Sequence, residues 1–254
     1  MNEQSFKKIS GFTLIELVSV IVILGVLAVG ISSFLKFGTQ IYAETTVRDQ
    51  IISSARFSVE RLNREVRQAL PNSLRTYVNS SGSACLQFTP IIASSTYIDL
   101  PVLPELSSTT LEIIPFNDSN FDQSSKAIVY PLGLDDLADA SEKNHVFDRL
   151  VKSTITTEPW VLNFDLPIRF ESDSPSKRLY FISDNVDYCL AGTDLTRNGI
   201  LMAQDITNDI LSNPPFEVES ASLQRNALVQ IHLQFEKNFE QVTFNNEVQV
   251  LNVP

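Results

Sequence analysis

Gly11-Phe12-Thr13-Leu14-Ile15-Glu16-Leu17, preceded by Lys7 and Lys8 and followed by an uncharged run from Leu17 to Leu35, decides how this chain is organised. An ordinary secretory signal is cut after its apolar segment, which is then lost. Here the small residue Gly11 stands before the apolar run, so a cut at that point leaves the hydrophobic stretch on the mature protein. Glu16 is the second oddity. An ionisable carboxylate at the edge of an apolar run is costly in lipid and is normally retained for a partner. The plain alternative is a lone acid resting at headgroup level.

This arrangement resembles the signal of the type IV pilin and pseudopilin superfamily. The resemblance implies that a prepilin peptidase cleaves after Gly11, making residues 1–11 a leader, and that the new amino terminus at Phe12 is methylated. It further implies that the Glu16 carboxylate pairs with the amino terminus of an adjacent subunit in a filament core. The implied fold is α+β, one long amino-terminal helix packed on an antiparallel β-sheet head.

The run Leu17–Leu35, at about 1.5 Å per helical residue, spans roughly 28 Å, the thickness of a bilayer core. Residues 12–35 are therefore expected to cross a membrane once. Lys7 and Lys8 place the leader on the cytoplasmic side and everything after Lys36 beyond it. The resemblance narrows this to an inner membrane with a periplasmic head, followed by extraction into a filament. The chain's 254 residues allow one anchor and one sizeable domain. Its net charge of −11 falls to about −12 without the leader. So acidic a head is a poor nucleic-acid partner, and none is expected.

No proline interrupts the chain from Phe12 to Ala69, and Pro71 is the first to forbid a helix. One helix of roughly 58 residues is expected, apolar all round at first and amphipathic over residues 36–70. Ile52, Ala55, Val59, Leu62, Val66 and Ala69 recur at steps of three and four and define the face meant for the head. Arg56, Glu60, Arg61, Arg64, Glu65 and Arg67 read as the solvated side, joined in i,i+4 pairs. Gly25 and Gly30 within the apolar part either permit close packing or are simply tolerated there.

After Pro71 the texture becomes short strands between turn residues, giving a globular β-rich head over 71–254. Expected strands are 84–88, 111–114, 127–130, 161–164, 168–171 and 179–182. The clearest is Ala227–Phe235, where apolar and polar residues alternate as in a sheet with one wet face. Val242–Phe244 and Val248–Val250 around Asn245-Asn246 suggest a closing hairpin. The region 117–144 and residues 172–177 and 213–215 read as loops. Cys85 and Cys189 lie in a disulfide-permissive compartment and are expected to form one bridge; two buried free thiols are the alternative.

The sequence offers no sign of an enzyme. His145, in a polar loop, and His232, on the wet side of its strand, accompany no nucleophile motif. No phosphate-binding or dinucleotide loop occurs, and no cofactor is expected. Asp135, Asp136 and Asp139, or Asp184 and Asp187, have oxygen ligands for calcium but not the spacing of a calcium loop, and read as solvated acids.

The segment Arg56–Ala69 is similar to the helix of larger minor pilins and of the J-type pseudopilins of type II secretion. Likeness to minor pilins of the mannose-sensitive haemagglutinin (MSHA) kind of pilus extends to Phe37–Tyr42, Cys85–Pro90 and Glu247–Pro254. These resemblances imply a low-abundance subunit that initiates or caps a pilus with other major and minor pilins. A tip adhesin is the competing reading, for which Tyr97, Phe116, Phe121 and Trp160 are the aromatic candidates if they lie exposed.

Overall fold

A computed structural model describes residues 11–117, 121, 126–137, 143–153, 155, 158–221 and 225–251. The leader before Gly11, Asp139 and the last three residues lie outside that set. The chain divides into two compact units, Met1–Gln50 and Ile51–Pro254.

Helix α1 runs Leu14–Arg67, 54 residues. In the first unit every residue from Gly11 to Thr45 is exposed, including Phe12, Ile21, Leu24 and Phe34. The helix is long and apolar enough to cross a membrane. It stops slightly short of the expected Ala69. Gln68 and Ala69 N–H groups close tight turns onto Glu65 and Val66 carbonyls, and the Leu70 N–H already donates to Thr89 O at 2.8 Å. The residue before a proline avoids the helical region, so this backbone is free to bond sideways instead.

In the second unit α1 buries Ile51, Ala55, Ser58, Val59, Leu62 and Val66. Two details differ from the sequence expectation. Ile51 rather than Ile52 enters the core, and Ser58, a polar residue absent from the apolar pattern, is fully buried. Its hydroxyl donates to Met202 O at 2.7 Å, which satisfies the group that burial would otherwise penalise.

Among the described residues the head contains fifteen strands: β1 Arg75–Val78, β2 Ala84–Phe88, β3 Ile91–Thr96, β4 Ser108–Ile113, β5 Lys126–Val129, β6 Asn144–Val146, β7 Arg149–Val151, β8 Trp160–Ile168, β9 Arg178–Ile182, β10 Val186–Ala191, β11 Asp194–Arg197, β12 Ile200–Ala203, β13 Phe216–Glu219, β14 Ala227–Lys237 and β15 Glu240–Val250. They form four sheets, in the orders β1-β2-β10-β11-β12, β3-β9-β5-β6, β4-β8-β7 and β13-β14-β15. The pairings within these sheets are antiparallel, so the α+β class expected from the sequence is the one observed.

Alternation along the strands sorts side chains between two cores. Ala127, Val129, Leu179 and Phe181 face Leu111, Ile113, Leu162 and Phe164 in the main aromatic-rich cluster, whereas Ile128, Tyr180 and Ile182 point the other way and pack with Leu70 at the end of the helix.

Several strand expectations are corrected. Residues 161–164 and 168–171 are not two strands; β8 is continuous over nine residues, and Phe170 makes only a parallel bridge to Val102. Asn245-Asn246 is no turn. It sits inside β15, whose eleven residues pair without a break against β14, and the chain reverses at Asn238-Phe239 instead. Both turn residues have positive φ, 50° and 69°, as a two-residue type I′ hairpin requires. His145 is not in a loop but in β6, its ring edge-on to Phe170 at 4.6 Å.

Candidate functional site

The amino-terminal segment is shaped by its own first turn. Thr13 caps α1: the Glu16 N–H donates to Thr13 Oγ1 at 3.4 Å and the Leu17 N–H to Thr13 O at 3.2 Å. Thr13-Leu14-Ile15-Glu16 has the spacing of a capping box, with an acid at the third helical position. Sequence reasoning passed over Thr13, although the spacing itself was signal enough. Glu16 is exposed in the first turn, where a negative charge complements the positive end of the helix dipole. Gly11 and Phe12 precede the helix in irregular, exposed backbone, with nothing near Gly11 that an added Cβ would meet. Exposed irregular backbone at Gly11-Phe12 and the Glu16 carboxylate therefore lie within six residues of each other, at the head of a helix whose residues are exposed as far as Thr45.

Cys85 and Cys189 are joined in a disulfide, with Cα atoms 4.1 Å apart and a sequence separation of 104. They are direct cross-strand partners on β2 and β10, which explains why two residues so distant in sequence come within reach. Among the described residues no cysteine is free.

A second constellation escaped the sequence reading. Glu65, taken there as part of the solvated face, accepts hydrogen bonds from the Tyr188 hydroxyl at 3.0 Å, Arg197 Nε at 2.8 Å and Arg61 Nε at 2.9 Å. Burial opposes its charge, but the hydrogen bonds from Arg197 and Arg61 outweigh that cost and hold its pKa below the ordinary carboxylate value. Burial, reinforced by the Glu65 charge, pushes the Tyr188 hydroxyl well above its usual range. The Arg61–Glu65 pair was foreseen; the Arg197 and Tyr188 contacts, 132 and 123 residues away, carry no local signature.

The remaining candidates serve structure. Asp187 Oδ1 accepts from the Tyr77 hydroxyl and Gln87 Nε2, clasping β1, β2 and β10. Asp136 accepts from the Leu132 and Gly133 N–H groups and from Lys143. Among the described residues no three metal-ligating side chains cluster. His145 lines a cleft of about 660 Å³ with Ser107, Asp165 and Arg169, where Nε2 lies 3.2 Å from Arg169 O. His232 is half-buried on the polar side of β14. The aromatics that an adhesin would expose are interior: Tyr97 and Phe121 are buried, and Phe116 and Trp160 pack against the same cluster.

Residues 6–32 match the prokaryotic N-terminal methylation motif. No curated protein and no solved structure matches the chain. The motif supports the type IV pilin and pseudopilin superfamily and, with it, a prepilin subunit processed by a prepilin peptidase and assembled with other pilins. Proteins of that type are structural rather than enzymatic. The exposed apolar helix fits a membrane-anchored pilin.

Proposed function

We propose that this chain is a minor pilin: a membrane-held prepilin that is cut after Gly11, methylated at Phe12 and incorporated near the tip of a type IV pilus of the MSHA kind. The observation that carries this reading is the placement of Gly11, Phe12 and Glu16 within six residues at the start of a 54-residue helix that is exposed as far as Thr45. Cleavage creates a cationic amine at the positive end of the helix dipole, an unfavourable place for it. A carboxylate relieves that repulsion, and Glu16 of a neighbouring subunit supplies one inside a low-dielectric helical bundle. Residues 12–35 form the membrane span and later filament core, 36–70 carry the helix to the head, and 71–254 form a periplasmic head on the far side of the inner membrane.

The resemblance to the MSHA pilus biogenesis protein MshO, stated on Phe37–Tyr42, Cys85–Pro90 and Glu247–Pro254, favours pilus initiation or capping over bulk building. A J-type pseudopilin of type II secretion is the second reading, favoured by the Arg56–Ala69 segment. The tip-adhesin reading loses its aromatic candidates to the core.

Intact mass and amino-terminal analysis of the protein recovered from its native membrane tests the proposal. A chain starting at N-methylated Phe12 supports it, and one starting at Met1 beside an active prepilin peptidase overturns it. Gly11→Val should block cleavage, whereas Glu16→Ala should leave cleavage intact and impair incorporation. Normal piliation in both variants contradicts the reading. Neighbouring genes for pilus biogenesis or for secretion decide between the two assemblies.

A further inference from the structure

Seven of the eight strands at the edges of the four sheets follow the usual protective habits of edge strands. β1, β7, β6, β12 and β13 are three or four residues long. β3 and β4 reach six, and each is broken by a register shift against its partner. β15 does neither. It runs eleven residues in unbroken register with β14, contains no proline, lysine or arginine, and no backbone group of residues 240–250 bonds to anything except β14 among the described residues. A long edge in unbroken register, with its outer backbone groups unpaired, is a template for another strand.

The hairpin tip adds an independent oddity. Phe239 is 100% exposed and sits at φ 69°, a position that glycine fills in the favoured type I′ turn. For a bulky residue the left-handed region is strained, and such strain persists where the side chain has a use. Among the described residues nothing in the head covers this ring. Charge sets what kind of partner fits. Glu236, Glu240 and Glu247 line the hairpin, while its one cation, Lys237, is paired with Asp205 at 3.0 Å. Pairing β15 antiparallel with itself about Asn245 sets Glu240 opposite Val250 and Glu247 opposite Thr243, but it also brings the glutamates of two acidic hairpins together, so charge favours a basic partner over a second copy of this chain.

We propose that the β14–β15 hairpin is the docking element of the head: the free edge of β15 takes up an extended, basic strand from the head of a different pilin-type subunit, and Phe239 enters an apolar pocket beside it. The inference rests on the reading of the chain as a pilin subunit.

The test uses the full chain in cells that make the filament, with a benzophenone amino acid at Gln241 or Gln249 and, as control, at Ile200 on the short edge β12. Photo-adducts from the two β15 positions, but not from Ile200, to another protein with its own prepilin-type amino terminus support the proposal. Thr243→Lys should cut adduct yield and incorporation about tenfold by repelling a basic strand, while Thr243→Glu leaves both intact. Phe239→Gly should lower incorporation about tenfold without lowering the Tm, a combination that a merely structural residue does not give. Adducts only to copies of this chain, no adducts, or wild-type incorporation in Thr243→Lys and Phe239→Gly overturns it. Amino-terminal analysis of the same samples separates the two levels. A Phe12 start with no adduct defeats the docking proposal alone, and a Met1 start defeats the reading beneath it.

Discussion

Glu65 shows how much one side chain can do at the seam between a helix and a sheet. It is the only acid of α1 for which both the β10 hydroxyl of Tyr188 and the β11 guanidinium of Arg197 compete, and its depressed pKa records their pull. A lowered folded-state value means stability that is fully present above the unfolded value near 4.5 and is lost as pH falls through the folded one. Chemical denaturation across pH should therefore show a wild-type advantage over Glu65→Gln that is constant above about pH 5 and shrinks below it. An advantage that grows on acidification contradicts this. Glu65→Ala should cost about 1–3 kcal/mol at neutral pH, because the Arg197 and Tyr188 donors are left without their acceptor. This residue was half legible in the sequence. Its i+4 partner Arg61 follows from helix periodicity, but two contacts made across more than 120 residues follow only from how the strands stack. Ser58 has the same lesson, since a hydroxyl on an apolar face reads as a defect until Met202 O is found above it.

Among the elements, the helix was legible nearly to the residue because a proline-free apolar run has one solution, whereas the sheet was legible only where alternation is long. β14 announced itself through five buried residues at period two. β15 did not, since Asn245-Asn246 imitates a turn, and pairing to β14 overrode that local preference. β10 to β12 are short and their polar residues obscure the pattern, yet they form three of the five strands of the sheet joined by Cys85–Cys189. Replacing both cysteines by alanine should lower stability by about 2–5 kcal/mol, since the bridge closes a loop of 104 residues in the unfolded chain. The wild-type protein melted with reductant should match the double variant; a Tm indifferent to both treatments refutes the estimate. Leu62→Ala, at a fully buried position on the helix face, should cost about 2–5 kcal/mol by urea unfolding, with far-ultraviolet helicity retained.

For the whole molecule, the division at Gln50 separates two kinds of surface. Residues 11–45 bury nothing, while the unit from Ile51 onward holds all of the buried hydrophobic residues among those described. A fragment beginning at Ile51 should fold with the same disulfide and remain monodisperse without detergent on gel filtration, whereas the full chain should require detergent or lipid. A fragment that aggregates, or that forms no Cys85–Cys189 bridge, shows that the head leans on the residues before it. The cystine also governs how such a head bears tension. A filament subunit held by its helix and gripped at the Asn238-Phe239 hairpin is pulled through residues that precede and follow the bridge in sequence, and the covalent bond removes everything between Cys85 and Cys189 from the load path. That segment would otherwise pay out as slack of roughly 350 Å when extended. With the bridge intact the tether can lengthen only through residues 68–84 and 190–237, roughly 220 Å when extended, so a yielding head reaches well under half the length it would reach without the bond.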